Sequence, residues 1–330
     1  MIFRSIPRLF AMKRRGILLF LAFILAGCAG EVSIKETRLV MDTFCEISCF
    51  SVDRDKAAAA IEDAFKEIER VEKAFSKFDE NSEVSRLNRL AGYEGVNVSE
   101  EVFSLTERSL NYSVLSGGAF DITIAPLMEI WGFTFREGSI PDKGAIESVL
   151  KIVGYKKIAL DPENSSIRFL NKDVKVDFGG IAKGYAVDRA KDMLVSHGIK
   201  NSLVNLGGNI FASGNPPGRT AWKIGVEDPR NKEKLLHSFE LSGKAISTSG
   251  NYERFFEING KRYSHIMNPL TGEPCRGIIS VTVIAVSAEE ADALSTAIFV
   301  MGEEKGMEFA GSVRDINVLI LKEDGGLILY

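Results

Sequence analysis

Apolar positions recur along this chain in two rhythms, and each rhythm predicts a different kind of element. From Asp55 to about Phe75 they return every three to four residues, with Ile61, Phe65, Ile68, Val71 and Phe75 on one face, the period of an amphipathic helix. Just before it, residues 38–50 read as a strand. A polar loop, Asp79-Glu80-Asn81-Ser82, leads into a short helix over 82–90, and Ser99 stands where it can cap a helix over about 100–115. The run from Gly117 to Gly132 is apolar and broken by glycines. After a further loop, a helix is expected near 143–153.

The second half is built mostly from the alternating rhythm. Residues 156–160 and 166–170 form a hairpin pattern around Asp161-Pro162-Glu163-Asn164. A strand over 173–177 runs into Gly179-Gly180 and a helix over 181–197, with another strand at 202–206. Asn259-Gly260 is a hairpin-turn signal between strands 252–258 and 261–267. Ser287-Ala288-Glu289-Glu290 is a capping box opening a helix to about Met301, and a helix near 303–311 and two strands close the chain. Strands and helices mix without strict βαβ alternation, so the expected fold class is α+β, one elaborated domain.

The first residues obey neither rhythm. Arg4, Arg8, Lys13, Arg14 and Arg15 precede or open an apolar run, Gly16 to Ala26, that ends at Leu25-Ala26-Gly27-Cys28. This is the order of a signal peptide: basic, then apolar, then small residues at the cleavage site. The run is too short to span a bilayer, which takes about 20 residues. Residues 1–27 are therefore expected to be removed, with Met12 an alternative start, and 28–35 to be a short tether ahead of a domain over 36–330. Removal changes the formal charge from −4 to −9 and leaves no Lys/Arg cluster, which argues against nucleic-acid binding. Cys45 and Cys49 would stand ~13 Å apart along a strand, beyond the roughly 4.4–6.8 Å that a disulfide spans. With Cys275 they read as structural thiols.

Four stretches are richer in glycine and polar residues than a core requires. They are Gly117 to Thr123, Asp177 to Tyr185, Asn205 to Asn209, and Ser247 to Tyr252 together with Tyr263 to Pro269. In the second, a strand ends in Asp177, turns on two glycines and enters a helix, an arrangement that serves either as an anion site or as a plain tight turn. Asp292 and Thr296 lie four residues apart on one helix face, flanked by Ala293, Leu294, Ala297 and Ile298. Such a carboxylate–hydroxyl pair suits Mg²⁺, or is an ordinary polar pair. His265, beside Ser264 and Asn268-Pro269, is the histidine placed best for a general base, and equally fits a structural role.

In this order, Gly-Gly-Ala-Phe-Asp-Ile-Thr, Asp-Phe-Gly-Gly-Ile-Ala-Lys-Gly-Tyr-Ala-Val-Asp, Ser-Thr-Ser-Gly-Asn-Tyr, Ser-His-Ile-x-x-Pro-x-Thr-Gly and Ala-Asp-Ala-Leu-Ser-Thr-Ala resemble the motifs of the ApbE family over about residues 36–325. The family comprises exported FAD:protein FMN transferases, often lipoproteins. The resemblance implies a two-lobed domain with FAD in the cleft, near Met41, Phe78, Ala119, Phe120, Asp121, Asp177, Lys183 and Ile266. It implies Mg²⁺ at the Gly180 carbonyl, Asp292 and Thr296, His265 as the base, and a lipid on Cys28. Phe78 departs from the tyrosine frequent at its position, which keeps stacking and loses a phenolic hydrogen bond.

The reaction implied is transfer of FMN from FAD to a threonine of an exported acceptor, with AMP leaving. That acceptor is, in the family, often a subunit of a redox-driven ion pump. Two rivals stand beside it: an Mg-dependent FAD pyrophosphatase, and a flavin-binding lipoprotein without activity. The chain carries no acceptor motif of its own, so self-flavinylation is not expected. Anchoring through Cys28 would put the enzyme on the periplasmic or outer side of a membrane, with a short tether keeping its site close to the lipid.

Overall fold

The computed structural model describes residues 32–330 apart from Arg136; Cys28 and the expected signal segment lie outside the described residues. Its helices are α1 (Arg54–Phe75), α2 (Glu83–Leu90), α3 (Glu100–Leu115), α4 (Ala125–Ile130), α5 (Lys143–Leu150), α6 (Ala182–Ser196), α7 (Ala288–Met301) and α8 (Glu303–Ser312). The strands are β1 (Val32–Val40), β2 (Thr43–Ser51), β3 (Val96–Asn97), β4 (Ile158–Asp161), β5 (Ser166–Phe169), β6 (Asn201–Leu206), β7 (Asn209–Ser213), β8 (Trp222–Asp228), β9 (Asn231–Leu241), β10 (Lys244–Gly250), β11 (Phe255–Ile258), β12 (Lys261–Ser264), β13 (Ile278–Ala285), β14 (Asn317–Lys322) and β15 (Leu327–Leu329). Helix and strand are mixed, and the α+β class holds.

An antiparallel sheet of order β1-β2-β6-β7-β10-β13-β14-β15 organises the molecule. Helices α1, α6 and α7 cover one face, and the β8–β9 ribbon covers part of the other. Residue parity sorts the side chains between them. Ala245, Val281, Val283 and Val318 join the helix-side core, whereas Ile246, Ile284 and Leu319 pack with Ile224, Val226 and Leu241 of the ribbon. Burial on both faces explains why Ile278–Ala285 reads as an apolar run rather than an alternation. A smaller cluster of Trp131, Phe256, Tyr263 and Met267 holds the β11–β12 hairpin against the α4 region.

Because neighbouring strands are antiparallel, their turns gather at two opposite ends of the sheet. One end collects the β1–β2 turn at Met41-Asp42, the β6–β7 turn at Gly207-Gly208, and the close of β10 at Gly250. Val32, paired with Ser51, lies at the other end, with Asn201 opposite Phe50. Eight residues of β1 at ~3.4 Å each separate the two ends by about 27 Å.

The structure departs from the sequence reading in three places. The strand expected over 38–50 is a hairpin, turning through Met41 and Asp42 at φ 52° and 59°, the left-handed pair of a type I′ turn. Its first strand begins at Val32, so four residues of the expected tether pair with Ser48–Ser51. The stretch 173–177 belongs to no ladder, although Val174, Val176 and Phe178 are buried in alternation. The Asn88 side chain takes the place of a neighbouring strand, accepting from the Val176 N–H at 2.7 Å and donating to its carbonyl at 3.0 Å. Cys45 and Cys49 are buried thiols on one face of β2, and Cys275 is also free. Burial pushes the Cys45 thiol up to about 12.

Candidate active site

The site lies at the end of the sheet that carries the β1–β2 and β6–β7 turns. After Asp177 the chain turns at Gly179-Gly180, and the Phe178 carbonyl accepts from the N–H groups of Ile181 and Ala182 as α6 begins. A side-chain carbon at Gly180 would stand 3.4 Å from Thr296 Oγ1 and 3.3 Å from the Phe120 ring. One turn further, the Gly184 N–H donates to Asp292 Oδ2 at 2.9 Å. Gly180, Asp292 and Thr296 thus converge, and the Phe120 ring closes one side.

Below them, odd-numbered residues of β10 face α7. Ser249 Oγ lies 2.8 Å from Ser295 Oγ and 3.2 Å from Thr296 Oγ1. Ser247 is bonded to Asn209 at 2.5 Å and also reaches Asp292. Burial raises the Asp292 carboxyl above the usual carboxylate range, although Lys183 and the Gly184 N–H work the other way. A buried carboxylate is costly unless a cation compensates it. Among the described residues no three His, Cys, Asp or Glu side chains are grouped to hold a metal. One carboxylate, one hydroxyl and a nearby carbonyl fit a hard cation that completes its shell with water and phosphate oxygens.

A second group of charges stands beside this oxygen cluster. Burial opposes the charge of Asp177, yet Lys77 Nζ at 2.6 Å, the Gly179 N–H and nearby Arg254 hold its carboxyl below the usual range. Lys77 also lies over the Phe78 ring, 5.2 Å from its centre. His265 stands in the field of this charge group and of Lys183. Its imidazole is lowered to about 4, first by burial, then by the positive charges of Arg254 and Lys183. The Arg254 carbonyl takes both the His265 backbone N–H at 3.0 Å and Nδ1 at 3.1 Å. A carbonyl oxygen only accepts, so Nδ1 carries the proton and Nε2 keeps its lone pair. This is a neutral histidine poised to accept.

The remaining residues expected around a flavin are less closely gathered. Ala119, Phe120 and Ile266 are buried, Met41 sits at the β1–β2 turn, and Phe78 is exposed. Both oxygens of Asp121 are engaged. Oδ1 accepts from Thr123 N–H and hydroxyl, and Oδ2 from the Tyr155 N–H at 2.7 Å. Burial raises its carboxyl even so. Asp121 lines an open pocket of about 410 Å³ with Gly118, Tyr155, Lys157 and Leu270. Lys77 and Arg254 lie outside the Gly-rich motifs of the sequence. Lys77 adjoins Phe78 and could have been found there; Arg254 stands in no motif and enters through the backbone of a hairpin.

Fold and site together define an α+β protein in which a cluster of oxygens fit for a hard cation stands beside a group of buried charges. The model of the ApbE family matches residues 41–320. The FAD:protein FMN transferase of Treponema pallidum is 31% identical over 330 residues, covering 94% of this chain and 91% of that protein. The one from Vibrio cholerae is 34% identical over 270 residues, covering 80% and 79%. Among solved structures, the ApbE protein of Thermotoga maritima aligns with a TM-score of 0.84 at 37% identity, over 90% of this chain and 96% of its own. The flavin transferase ApbE of Vibrio cholerae gives 0.79 at 30%, over 91% and 97%. The chain belongs to the ApbE family.

Proposed function

We propose that this protein transfers FMN from FAD to a threonine hydroxyl of an acceptor protein. The relatives named as FAD:protein FMN transferases support the reaction. The observation that carries it to this chain is neutral His265, its lone pair on Nε2, within the field of Asp177 and Lys183, the residues that flank the Gly180 turn leading to Asp292 and Thr296. The acceptor hydroxyl gives its proton to Nε2 and its oxygen bonds to the FMN-side phosphorus. The anhydride bond to AMP breaks, and AMP leaves with the bonding electrons. Lys183 and Arg254 supply positive charge for the diphosphate and, with burial, keep His265 neutral. The Gly184 N–H and Ser247 aim the Asp292 carboxylate, and Ser249 orients Thr296. Mg²⁺ held by Gly180, Asp292 and Thr296 would polarise the diphosphate, an effect typically worth several kcal/mol.

Water in place of threonine would make the same site a pyrophosphatase, and a site without turnover would make it a flavin-binding protein. Incubating residues 28–330 with FAD, Mg²⁺ and a protein bearing an acceptor threonine separates the three. In-gel flavin fluorescence on the acceptor supports the transferase. Free FMN without label means hydrolysis, and bound FAD with neither product means binding alone.

For location, the basic, apolar and small-residue order ahead of Cys28 supports export and lipid attachment. The acceptor would then be an exported protein, of which a redox-driven ion-pump subunit is one kind. Val32 follows Cys28 by four residues, at most ~14 Å of chain. The site is at the other end of β1, about 27 Å further on. With β1 directed away from the lipid, anchoring would stand the site off by up to the length of the sheet, and an acceptor threonine would meet it within that height.

A further inference from the structure

Three contacts tie α7 to the segment that turns into α6, and they fall at equal intervals on both. Gly180 lies against Thr296, Gly184 against Asp292, and Asp188 against Ala288. The residues step by four on each side and run in opposite directions, so the seam follows one helix face. Two of the contacts belong to the oxygen cluster. The third does not.

Asp188 is a buried carboxylate on α6, and its two oxygens accept from the N–H groups of Ala288 and Glu289 at 3.0 and 2.9 Å. These are among the N–H groups that the first turn of a helix leaves without partners. The local cap of α7 is already supplied by Ser287, whose hydroxyl accepts from Glu290 N–H at 3.2 Å. Asp188 reaches across from another helix, so its bonds fix where α7 lies as well as capping it. A helix rises 1.5 Å per residue, which puts Asp292 about 6 Å and Thr296 about 12 Å along from Ala288. Over so few turns a displacement of the first residue passes to the others with little loss.

We propose that Asp188 is a positioning residue for the oxygen cluster, clamping the start of α7 so that Asp292 and Thr296 face the Gly180 carbonyl at the spacing Mg²⁺ demands. The proposal rests on reading that cluster as a hard-cation site. Mg²⁺ needs near-ideal octahedral bonds of about 2.0–2.1 Å, whereas Ca²⁺ accepts about 2.3–2.6 Å and irregular geometry. A loosened clamp therefore penalises Mg²⁺ more than Ca²⁺, which a general loss of stability does not do.

The test titrates residues 28–330 with Mg²⁺ or Ca²⁺ in the presence of FAD and follows flavin fluorescence, with amide hydrogen exchange at Ala288 and Glu289 alongside. Asp188→Asn retains the shape and removes one acceptor oxygen. It should raise half-saturating Mg²⁺ about tenfold or more, and Ca²⁺ less than about threefold. Exchange at the two amides should quicken. Asp192→Asn, on the same helix but bonded to Arg189 and Lys191, should leave both metals unchanged. If the Asn variant does not fold, Asp188→Ser, which keeps one acceptor, takes its place. A folded variant with unaltered Mg²⁺ half-saturation, or an equal shift for both metals, overturns the clamp while leaving the cation site intact. A wild-type protein that ignores Mg²⁺ overturns the cation site, and the clamp with it.

Discussion

Gly184→Ala is the smallest change that should separate helix packing from chemistry. The added carbon would lie 2.2 Å from the Ala288 carbonyl oxygen, 2.6 Å from its carbon and 2.8 Å from Asp292 Cβ. Ordinary contact begins at 3.4 Å, so α6 and α7 must part by over 1 Å. The obstruction is helix backbone, which no rotamer can move aside. Alanine gains about 0.8–1 kcal/mol of helix propensity over glycine, against about 1–3 kcal/mol for forced overpacking. The net loss, between about 0 and about 2 kcal/mol, corresponds to a fall in Tm of up to roughly 8 °C at about 2–4 °C per kcal/mol for a large domain. The displacement falls directly on Asp292, and a misplacement of about 1 Å can cost about 100-fold in rate. Transfer to a threonine-bearing acceptor, read as in-gel flavin fluorescence over time at saturating Mg²⁺, should therefore collapse while most of the protein stays folded. An unchanged or raised Tm with transfer within about threefold of wild type would refute the tight seam.

His265→Ala should slow transfer by about 10²–10⁴-fold while FAD still binds, measured by acceptor labelling and fluorescence titration; undiminished transfer would remove the histidine from the mechanism. In a pH profile of transfer, the His265 limb should fall near pH 4, and a limb at 6.5 would mean an ordinary, solvated imidazole. The same shift has a stability consequence. Because the folded value lies below the unfolded 6.5, the unfolded chain binds the extra proton first, so this contribution is complete above pH 6.5 and is lost as pH falls towards 4. Acid melts of wild type and His265→Gln should converge over that window. Lys77→Met strands the Asp177 carboxylate, with only Arg254 and the Gly179 N–H left to it. The loss should approach the about 3–5 kcal/mol typical of a buried pair missing one partner, read by denaturant unfolding. Cys28→Ala should move the protein from membrane to soluble fractions without changing its rate of FMN transfer; continued membrane association would sink the lipid anchor.

Much of the architecture was legible because it is written in local rules. Ser99 and Ser287 cap α3 and α7 where the capping patterns put them, and Asn259-Gly260 makes its turn at φ 52° and 72°. The cap of α1 is Asp53, two residues before the helix was expected to open, since its carboxylate accepts from Lys56 N–H. The stretch 173–177 alternates like a strand without being one, because alternation reports burial on a face, and an asparagine side chain can satisfy that backbone as well as a strand does.

By itself the sequence determined the period of each element, the residue types that could do chemistry and, through five motifs in order, the family. What only the tertiary structure decided is which of those residues meet, and in what electrical state. Asp292 and Thr296 share a helix face by spacing alone, but their approach to Gly180 depends on the α6–α7 seam. His265 is neutral because it is buried and stands in the positive field of Arg254 and Lys183, and the Arg254 carbonyl, by taking Nδ1, leaves the lone pair on Nε2. Arg254 is eleven residues away in the chain, across a hairpin, and Lys183 is on another element altogether. Periodicity is a property of neighbours along the chain, whereas desolvation and charge depend on neighbours in space. The start of the domain shows the same division: the number of residues between Cys28 and Val32 is sequence, whereas the end of the sheet at which β1 begins is topology.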